Sequence, residues 1–314
     1  MPVETSHPDR VLFPEEPAAP GGDEPGARGA RGRSITKGDM VDYYRRVGPV
    51  MVPHLRGRPL MLERYPEGIT RPGVYQKEAP AHFPDWVHRV EVPKEGGTVN
   101  HAVCNDEDTL VYLANQGSLT FHAWLSRADR IYHPDQLIFD LDPPPGAFDT
   151  VRAAARHLGE ILDGLELVPF VKTTGSRGLH VVVPLDRSAT FDETRAFARD
   201  VAALVVAGDP GRLTTEVRKA KRGGRVFVDV LRNGYAQTAV APYSVRARPR
   251  APVATPVDWE ELGKGHLDPG RYTIRNLFRR LGRKPDPWRD MAGQARPLEP
   301  ARRRLEPLAR RVAS

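Results

Sequence analysis

Apolar and polar residues alternate with two periods along this chain, and the switches between them mark its elements. Gln136 to Asp142 is an apolar run ending in two aspartates and reads as a strand. From about Asp149, the positions Val151, Ala155, Leu158, Leu162 and Leu165 follow at steps of four and three, the spacing of one helix face. Leu167–Lys172 reads as a second strand, Thr173–Gly178 as a turn and Leu179–Leu185 as a third strand. Phe191–Val206 is a second amphipathic helix, and Arg225–Leu231 a fourth strand. The order β-α-β-β-α-β is a split βαβ arrangement and predicts an α/β (α+β) fold. In it the first and third strands are central and the fourth lies beside the first. Asp140 and Asp142 are therefore expected between His180 on one side and Asp229 on the other.

The flanking sequence is less regular. Thr36, followed by Gly38-Asp39-Met40-Val41, reads as a capped helix start running to about Leu55, although Pro49 and Pro53 argue against its second half. Short strands and loops follow to about residue 108, and Asp106–Ser118 has helical spacing at Leu110, Val111, Leu113 and Ala114. Residues 14–33 hold four prolines, five glycines and no apolar residue larger than alanine, which predicts a flexible surface loop. The chain thus divides into an N-terminal α/β module (1–130), a catalytic module like an RNA-recognition motif (131–250) and a helical, basic extension (251–314), packed as a single domain (1–314).

Charge changes this picture in one place only. The net charge is +7, but residues 271–314 hold 13 Lys/Arg against 4 Asp/Glu, leaving 34 against 36 for residues 1–270. The body is near neutral, so any nucleic-acid argument must rest on local clusters. The single cysteine, Cys104, excludes an internal disulfide and any multi-cysteine zinc site. No apolar run approaches the ~18 residues of a membrane span. The N-terminus lacks the features of a signal peptide, so the expected location is the cytoplasm, at the nucleoid, with no membrane partner.

Asp140 and Asp142 are the candidate chemistry. Alternate strand residues share a face, so the two carboxylates stand side by side at the strand end, where Pro143-Pro144-Pro145-Gly146 stops the ladder. Repelling carboxylates on an apolar strand suit a hard divalent cation such as Mg²⁺ or Mn²⁺. Asp229 is a third carboxylate inside an apolar strand; alone it reads as a buried, hydrogen-bonded aspartate. Beside the pair, it completes a set able to hold two cations about 3.5–4 Å apart for phosphoryl or nucleotidyl transfer. Gly175-Ser176-Arg177-Gly178-Leu179-His180 offers a tight turn with donors suited to phosphate oxygens; the plain alternative is a hairpin turn with an exposed arginine. Arg218-Lys219-Ala220-Lys221-Arg222 leads into the Asp229 strand, and Arg246 and Arg248 follow a later short strand. His122 lies between aromatics, where a satisfied core histidine is the commoner case.

Taken together, the stretches HPDRVLFPE, ITKGDMVDYYRRVGPVMVPHLRGRPLMLERYPEGI, YQKEAPAHFPDWV, LVYLANQGSLTFHAWLSR, IFDLDPP, TTGSRGLHVVVPL, RKAKRGGRVFVDVLRN and TAVAPYSVRARP resemble the polymerase domain of bacterial ligase D. That domain is the end-joining branch of the archaeo-eukaryotic primase superfamily. The resemblance implies a primase-like catalytic core and template-dependent addition of nucleotides, often ribonucleotides, at DNA ends with Mn²⁺ or Mg²⁺. It implies that Asp140, Asp142 and Asp229 bind the metals and that Ser176, Arg177 and His180 form the nucleotide-phosphate loop. It also implies that His122, Arg222 and Arg246 contact the incoming nucleotide, and Arg64 its triphosphate. Arg10 and Lys37 match the pair reading a DNA 5′-phosphate, and Tyr75 lies in the segment that packs on template bases. Arg177 and Arg10 stand where the family usually has lysine, and the loop 14–33 is longer than usual. No lysine begins a Lys-x-Asp-Gly ligase motif, so a stand-alone polymerase module is expected, with a DNA ligase and the bacterial Ku protein as partners in trans. The alternatives are a primase acting without a primer, a metal-dependent nuclease and a non-catalytic DNA-end binder.

Overall fold

The computed structural model describes residues 3–15, 33–263 and 267–313. Most of the predicted loop, residues 16–32, lies outside the described residues. Strand β1 (Val11–Phe13) pairs with β2 (Ile35–Thr36), which runs directly into helix α1 (Lys37–Leu55). The Thr36 hydroxyl accepts from the Asp39 N–H while the Asp39 carboxylate accepts from the Thr36 N–H, a reciprocal cap. The helix ends at Leu55 as expected, running through Pro49 and Pro53, the residues that argued against its second half. Burial offsets the lost hydrogen bonds: Met40, Tyr44, Val47, Met51 and Leu55 form a fully buried stripe. The Tyr44 hydroxyl also anchors the helix by donating to the Leu119 carbonyl at 2.5 Å.

Next come β3 (Leu60–Arg64), β4 (Val74–Gln76), the hairpin β5 (Arg89–Lys94) and β6 (Gly97–Ala102), helix α2 (Glu107–Asn115) and β7 (Ser118–Trp124). Helix α2 is capped by Asp106, which accepts from the Thr109 N–H at 2.7 Å. It is shorter than its apolar spacing suggested, because Gly117 at φ +84° turns the chain into β7.

The second half builds the main sheet from β8 (Gln136–Asp142), α3 (Phe148–Gly164), β9 (Phe170–Thr173), β10 (Leu179–Pro184), α4 (Phe191–Gly208), β11 (Leu213–Thr214) and β12 (Val226–Asp229). Strand β13 (Thr238–Val240) then returns to β7, and β14 (Pro256–Val257) joins β9. The sheet order is β11-β12-β8-β10-β9-β14, so β8 and β10 are central and β12 lies beside β8, as the split βαβ pattern requires. Strand β9 starts later than expected: Glu166 adopts φ +61° and the Leu167 N–H bonds back to α3, leaving Leu167 to pack without pairing. Strand β12 ends earlier, because residues 231–233 coil into a single helical turn. Asn233 locks that turn to β8: its side chain accepts from the Ile138 N–H at 2.8 Å and donates to the Ile138 carbonyl at 2.7 Å.

Period-two alternation decides which face does what. Leu137, Phe139 and Leu141 face α3 and α4, joining one core with Val151, Leu158, Phe197 and Val201. Asp140 and Asp142 must then face the other way, toward the four-stranded sheet β13-β7-β3-β4. That sheet mixes the two modules suggested by sequence, since β13 pairs antiparallel with β7. A short helix α5 (Leu277–Leu281) and a last helix α6 (Leu298–Ala313) follow. Helix α6 buries Leu298, Ala301 and Leu305 in the core of α3 and α4, while Arg302 and Arg303 pair with Glu299 and Arg304 with Glu166. Those arginines form a solvated helix face.

Candidate active site

Strand register brings the acids together. Asp229 stands directly opposite Asp140 across the β12–β8 ladder, and His180 stands opposite Asp140 on β10. His180 in turn faces Lys172 on β9, so Asp229, Asp140, His180 and Lys172 form one row across four strands. Paired residues of an antiparallel ladder share a face, and the row is therefore a single polar stripe on an otherwise apolar sheet. Ligand oxygens of Asp140, Asp142 and Asp229 all lie within 4.8 Å of one another.

Asp140 is buried, and its Oδ1 has no hydrogen-bond partner; the nearest cation-capable group is His180 Nε2 at 3.4 Å. Arg232 Nε approaches Oδ2 at 3.8 Å. Burial pushes Asp140 upward, but His180, Arg232 and Lys172 outweigh it and hold the carboxyl below the usual range. Asp142 is pushed up to about 6 by burial and by the neighbouring Asp140 and Asp229. Burial also raises Asp229, although the Leu231 N–H donates to its Oδ1 at 2.7 Å. Burial pulls Lys172 down to about 7 and, with Lys172 beside it, His180 down to about 4, so the imidazole is neutral at pH 7. Three crowded carboxylates with a buried oxygen left unpaired fit a divalent cation: hard oxygen donors, mutual repulsion, and one lone-pair site held ready.

The loop between β9 and β10 closes over the row. Thr174 Oγ1 accepts from the Ser176 and Gly178 N–H groups at 3.3 and 3.2 Å, so those two backbone amides are turned inward, and the loop's outward donors are side chains. A side chain at residue 178 is excluded, since a Cβ there would lie 2.0 Å from the Leu141 carbonyl oxygen. Gly175 needs its freedom too, at φ +63° with a Cβ position 2.9 Å from Arg246 Cγ. Ser176 and Arg177 top the loop, and Arg246 donates to the Thr174 carbonyl at 3.1 Å from the side.

A cavity of about 180 Å³ gathers Asp140, Asp142, Ser176, Arg177, His180 and Arg246, with His122 entering from the opposite sheet. His122 Nε2 lies 3.5 Å from Glu63 Oε2. Burial alone would raise Glu63, but His122 and Tyr65 hold it down at about 2. Arg222 is outside this lining: its guanidinium sits 3.8 Å over the Phe227 ring, beside Asp142 in register, and its charge acts on Asp229. Arg64 is not brought to the cavity, because its guanidinium is held by the Gln116 carbonyl and by Gln76 Oε1. Arg10 and Lys37 do meet: the Lys37 N–H donates to the Arg10 carbonyl at 2.8 Å, and Lys37 is lowered by burial and by Arg10. Lys37 Nζ donates to Ser6 Oγ at 2.7 Å, and Arg10 to the Pro66 carbonyl at 2.9 Å. Tyr75 is exposed on β4. Sequence reasoning missed Arg232, Lys172, Thr174 and Glu63. A lysine closing an apolar strand was a usable signal for Lys172; the others depend on folding.

The family model described as "LigD, primase-polymerase domain" matches residues 36–288. The multifunctional non-homologous end joining protein LigD of Mycolicibacterium smegmatis is 31% identical over 268 residues, covering 84% of this chain and 33% of that protein. The corresponding Pseudomonas aeruginosa protein is 30% identical over 96% of this chain and 34% of its own length. This chain thus spans about a third of these curated relatives. The polymerase domain of Mycobacterium tuberculosis ligase D, solved in complex with DNA, superposes with a TM-score of 0.81 at 29% identity, covering 94% of this chain and 99% of that one. A primase-like core carrying three carboxylates beneath a donor-rich loop defines a nucleotidyltransferase of the primase-polymerase class. The chain belongs to the LigD primase-polymerase domain family. Among the described residues, no helix is long and apolar enough to cross a membrane.

Proposed function

We propose that the protein is a template-dependent polymerase that adds nucleotides, ribonucleotides included, to primer 3′ ends at DNA gaps or double-strand breaks, in end joining or gap-filling repair. The observation that carries this is the Asp140, Asp142 and Asp229 cluster, its buried Asp140 oxygen unpaired, facing a cavity rimmed by Ser176, Arg177 and Arg246. The three carboxylates would hold two Mg²⁺ or Mn²⁺ ions, which supply Lewis-acid stabilisation of the attacking and leaving oxygens. In the reaction the primer 3′-oxygen bonds to the α-phosphorus, the bond to the β-phosphate oxygen breaks, and the hydroxyl proton passes to water. Arg177 and Arg246 neutralise the phosphates and the Ser176 hydroxyl donates to them, with Arg222 approaching from the Phe227 side. His180, buried and neutral, orients Asp140 from below the phosphate loop, and Glu63 fixes the His122 ring that contacts the nucleotide. Arg64 ties β3 to the end of α2 through the Gln116 carbonyl, so a triphosphate contact by it would use the two N–H groups those bonds leave over.

The Arg10–Lys37 pair would read a 5′-phosphate, and exposed Tyr75 would pack on template bases. Sealing the product requires ligase chemistry, for which this sequence has no Lys-x-Asp-Gly motif, and Ku would deliver the DNA end. Primer extension on a gapped duplex bearing a 5′-phosphate tests the reading, with ribo- and deoxyribonucleotides in each metal and an unprimed template alongside. Extension that depends on the primer and the metal supports it. Cleavage of the DNA without extension would replace it with a nuclease.

A further inference from the structure

We propose that a cleft beside α5 is a second phosphate-binding site, which grips the backbone of a nucleic-acid strand leading to the catalytic cavity. The cleft is about 570 Å³, and Arg250, Arg271, Arg279, Arg280, Arg283 and Lys284 line it against only Glu261 and Asp268. Its main acid is already spent: Glu261 accepts from Arg280 at 2.6 Å and from the Tyr272 hydroxyl at 3.1 Å. Exposed arginines alone would be a solvated face. Arg280 is different, because it is only 8% exposed and its Nε and Nη1 are buried with no hydrogen-bond partner. A buried guanidinium left two donors short is costly, and it fixes a positive charge in the wall of the cleft, paired there with Glu261 alone. Arg250, Arg271, Arg279 and Arg283 form no ion pair among the described residues.

The connection to the catalytic cavity makes a strand the better occupant than a free anion. Residues 245–253 form a short hairpin, with Val245 bridged to Val253 and the Arg246 N–H donating to the Pro252 carbonyl at 2.8 Å. Arg246 and Arg248 line the catalytic cavity, and Arg250 lines the cleft, so every second residue carries a cation from one site to the other. Arg250 and Ala251 turn the hairpin with φ of +68° and +49°, conformations non-glycine residues rarely adopt. Strain held at a pair of residues that aims a cation into a cleft is the kind associated with ligand sites. Phosphates repeated along a polymer match cations repeated between two cavities; a single phosphate needs only one of them.

The proposal rests on the polymerase reading for its DNA substrate, and the two are separable. Fluorescence anisotropy with a labelled, gapped duplex carrying a single-stranded extension, from about 50 to 200 mM NaCl, measures affinity and its salt slope. Arg279→Glu with Arg283→Glu is expected to weaken binding about 10-fold and flatten the slope by about 1.5, as for the loss of two phosphate contacts. Extension at saturating DNA should be unchanged, and Arg279→Gln with Arg283→Gln should fall between. Unchanged affinity and slope would overturn the cleft while leaving catalysis untouched, and a wild type that extends no primer while the variant still shows the cleft effect would strike the polymerase reading alone. Inorganic triphosphate that raises the melting temperature of the wild type but not of the double variant, with DNA affinity equal in both, would replace the strand with a free phosphate ligand. A wild type that binds no DNA overturns both readings.

Discussion

Asp135 and Asp140 stand near opposite ends of β8, are both largely buried, and are surrounded in opposite ways. Asp135 accepts from Arg58 Nη1 and Nη2 at 2.7 and 2.8 Å and from Arg127 Nε at 2.8 Å, and those partners outweigh burial to hold it low. Asp140 has two more carboxylates as neighbours and an oxygen with no hydrogen-bond partner. The first aspartate has its hydrogen bonds completed within the chain; the second is held low by His180, Arg232 and Lys172 yet keeps an oxygen that, on the proposed reading, a metal ion would complete. Buried charge by itself therefore separates neither structure from function. What separates them is whether the partner is covalently part of the protein.

The comparison breaks most visibly at Asp140. Asp140→Ala with Asp142→Ala should lower primer extension by at least ~10³-fold, about 4 kcal/mol of transition-state stabilisation, with DNA affinity little altered. Undiminished extension would remove the carboxylates from the chemistry. Asp135→Ala should do the reverse. It strands the buried Arg58 guanidinium and should cost about 3–5 kcal/mol in urea denaturation, while each folded molecule keeps its activity. If Asp135→Ala left stability intact, the satisfied pair would not be structural.

A smaller effect sharpens the same contrast. Mn²⁺ at about 100 times its dissociation constant should stabilise the wild type by ~2.7 kcal/mol. Asp140→Asn with Asp142→Asn should abolish that gain, and equal stabilisation of the variant would place the ion elsewhere. The smallest effect is set by pH. Asp142, raised to about 6 in the folded protein, is disfavoured there only while ionised, so its cost is present above about pH 6 and relieved as the pH falls toward 4. Without metal, Asp142→Asn should raise Tm by roughly 1–2 °C near neutral pH, about 1 kcal/mol, and the gain should fade between about pH 6 and pH 4. A gain independent of pH would assign it to packing instead.

The parts of this site legible in the sequence are those set by a strand's own period. Leu137, Phe139 and Leu141 define one face of β8, so Asp140 and Asp142 had to occupy the other, and an apolar strand carrying Asp229 had few places to go. Sheet order followed from the alternation of elements. Register did not: nothing local to Lys172 says that it ends in a row with His180, Asp140 and Asp229. Arg64 is a different case, a basic residue in a matching segment whose Nε and Nη2 donate to the Gln116 carbonyl, a partner more than fifty residues away that the sequence does not reveal. Pro49 and Pro53 argued against the second half of a helix that does reach Leu55, because local cost is readable in sequence and the burial that offsets it is not. The Arg280 cleft was invisible for a similar reason, since an arginine's orphaned donors appear only once the chain around it has folded.

Strand β13 has a consequence for how such a protein can be inherited. It returns from beyond residue 230 to complete the sheet that begins at β3. A gene fragment ending near residue 130 would encode β7 with a bare edge along Phe121 and Ala123, inviting pairing between copies. Recombination that joins this catalytic unit to other domains must therefore move the interval from β3 to β13 intact, and fusion points are tolerated only outside it.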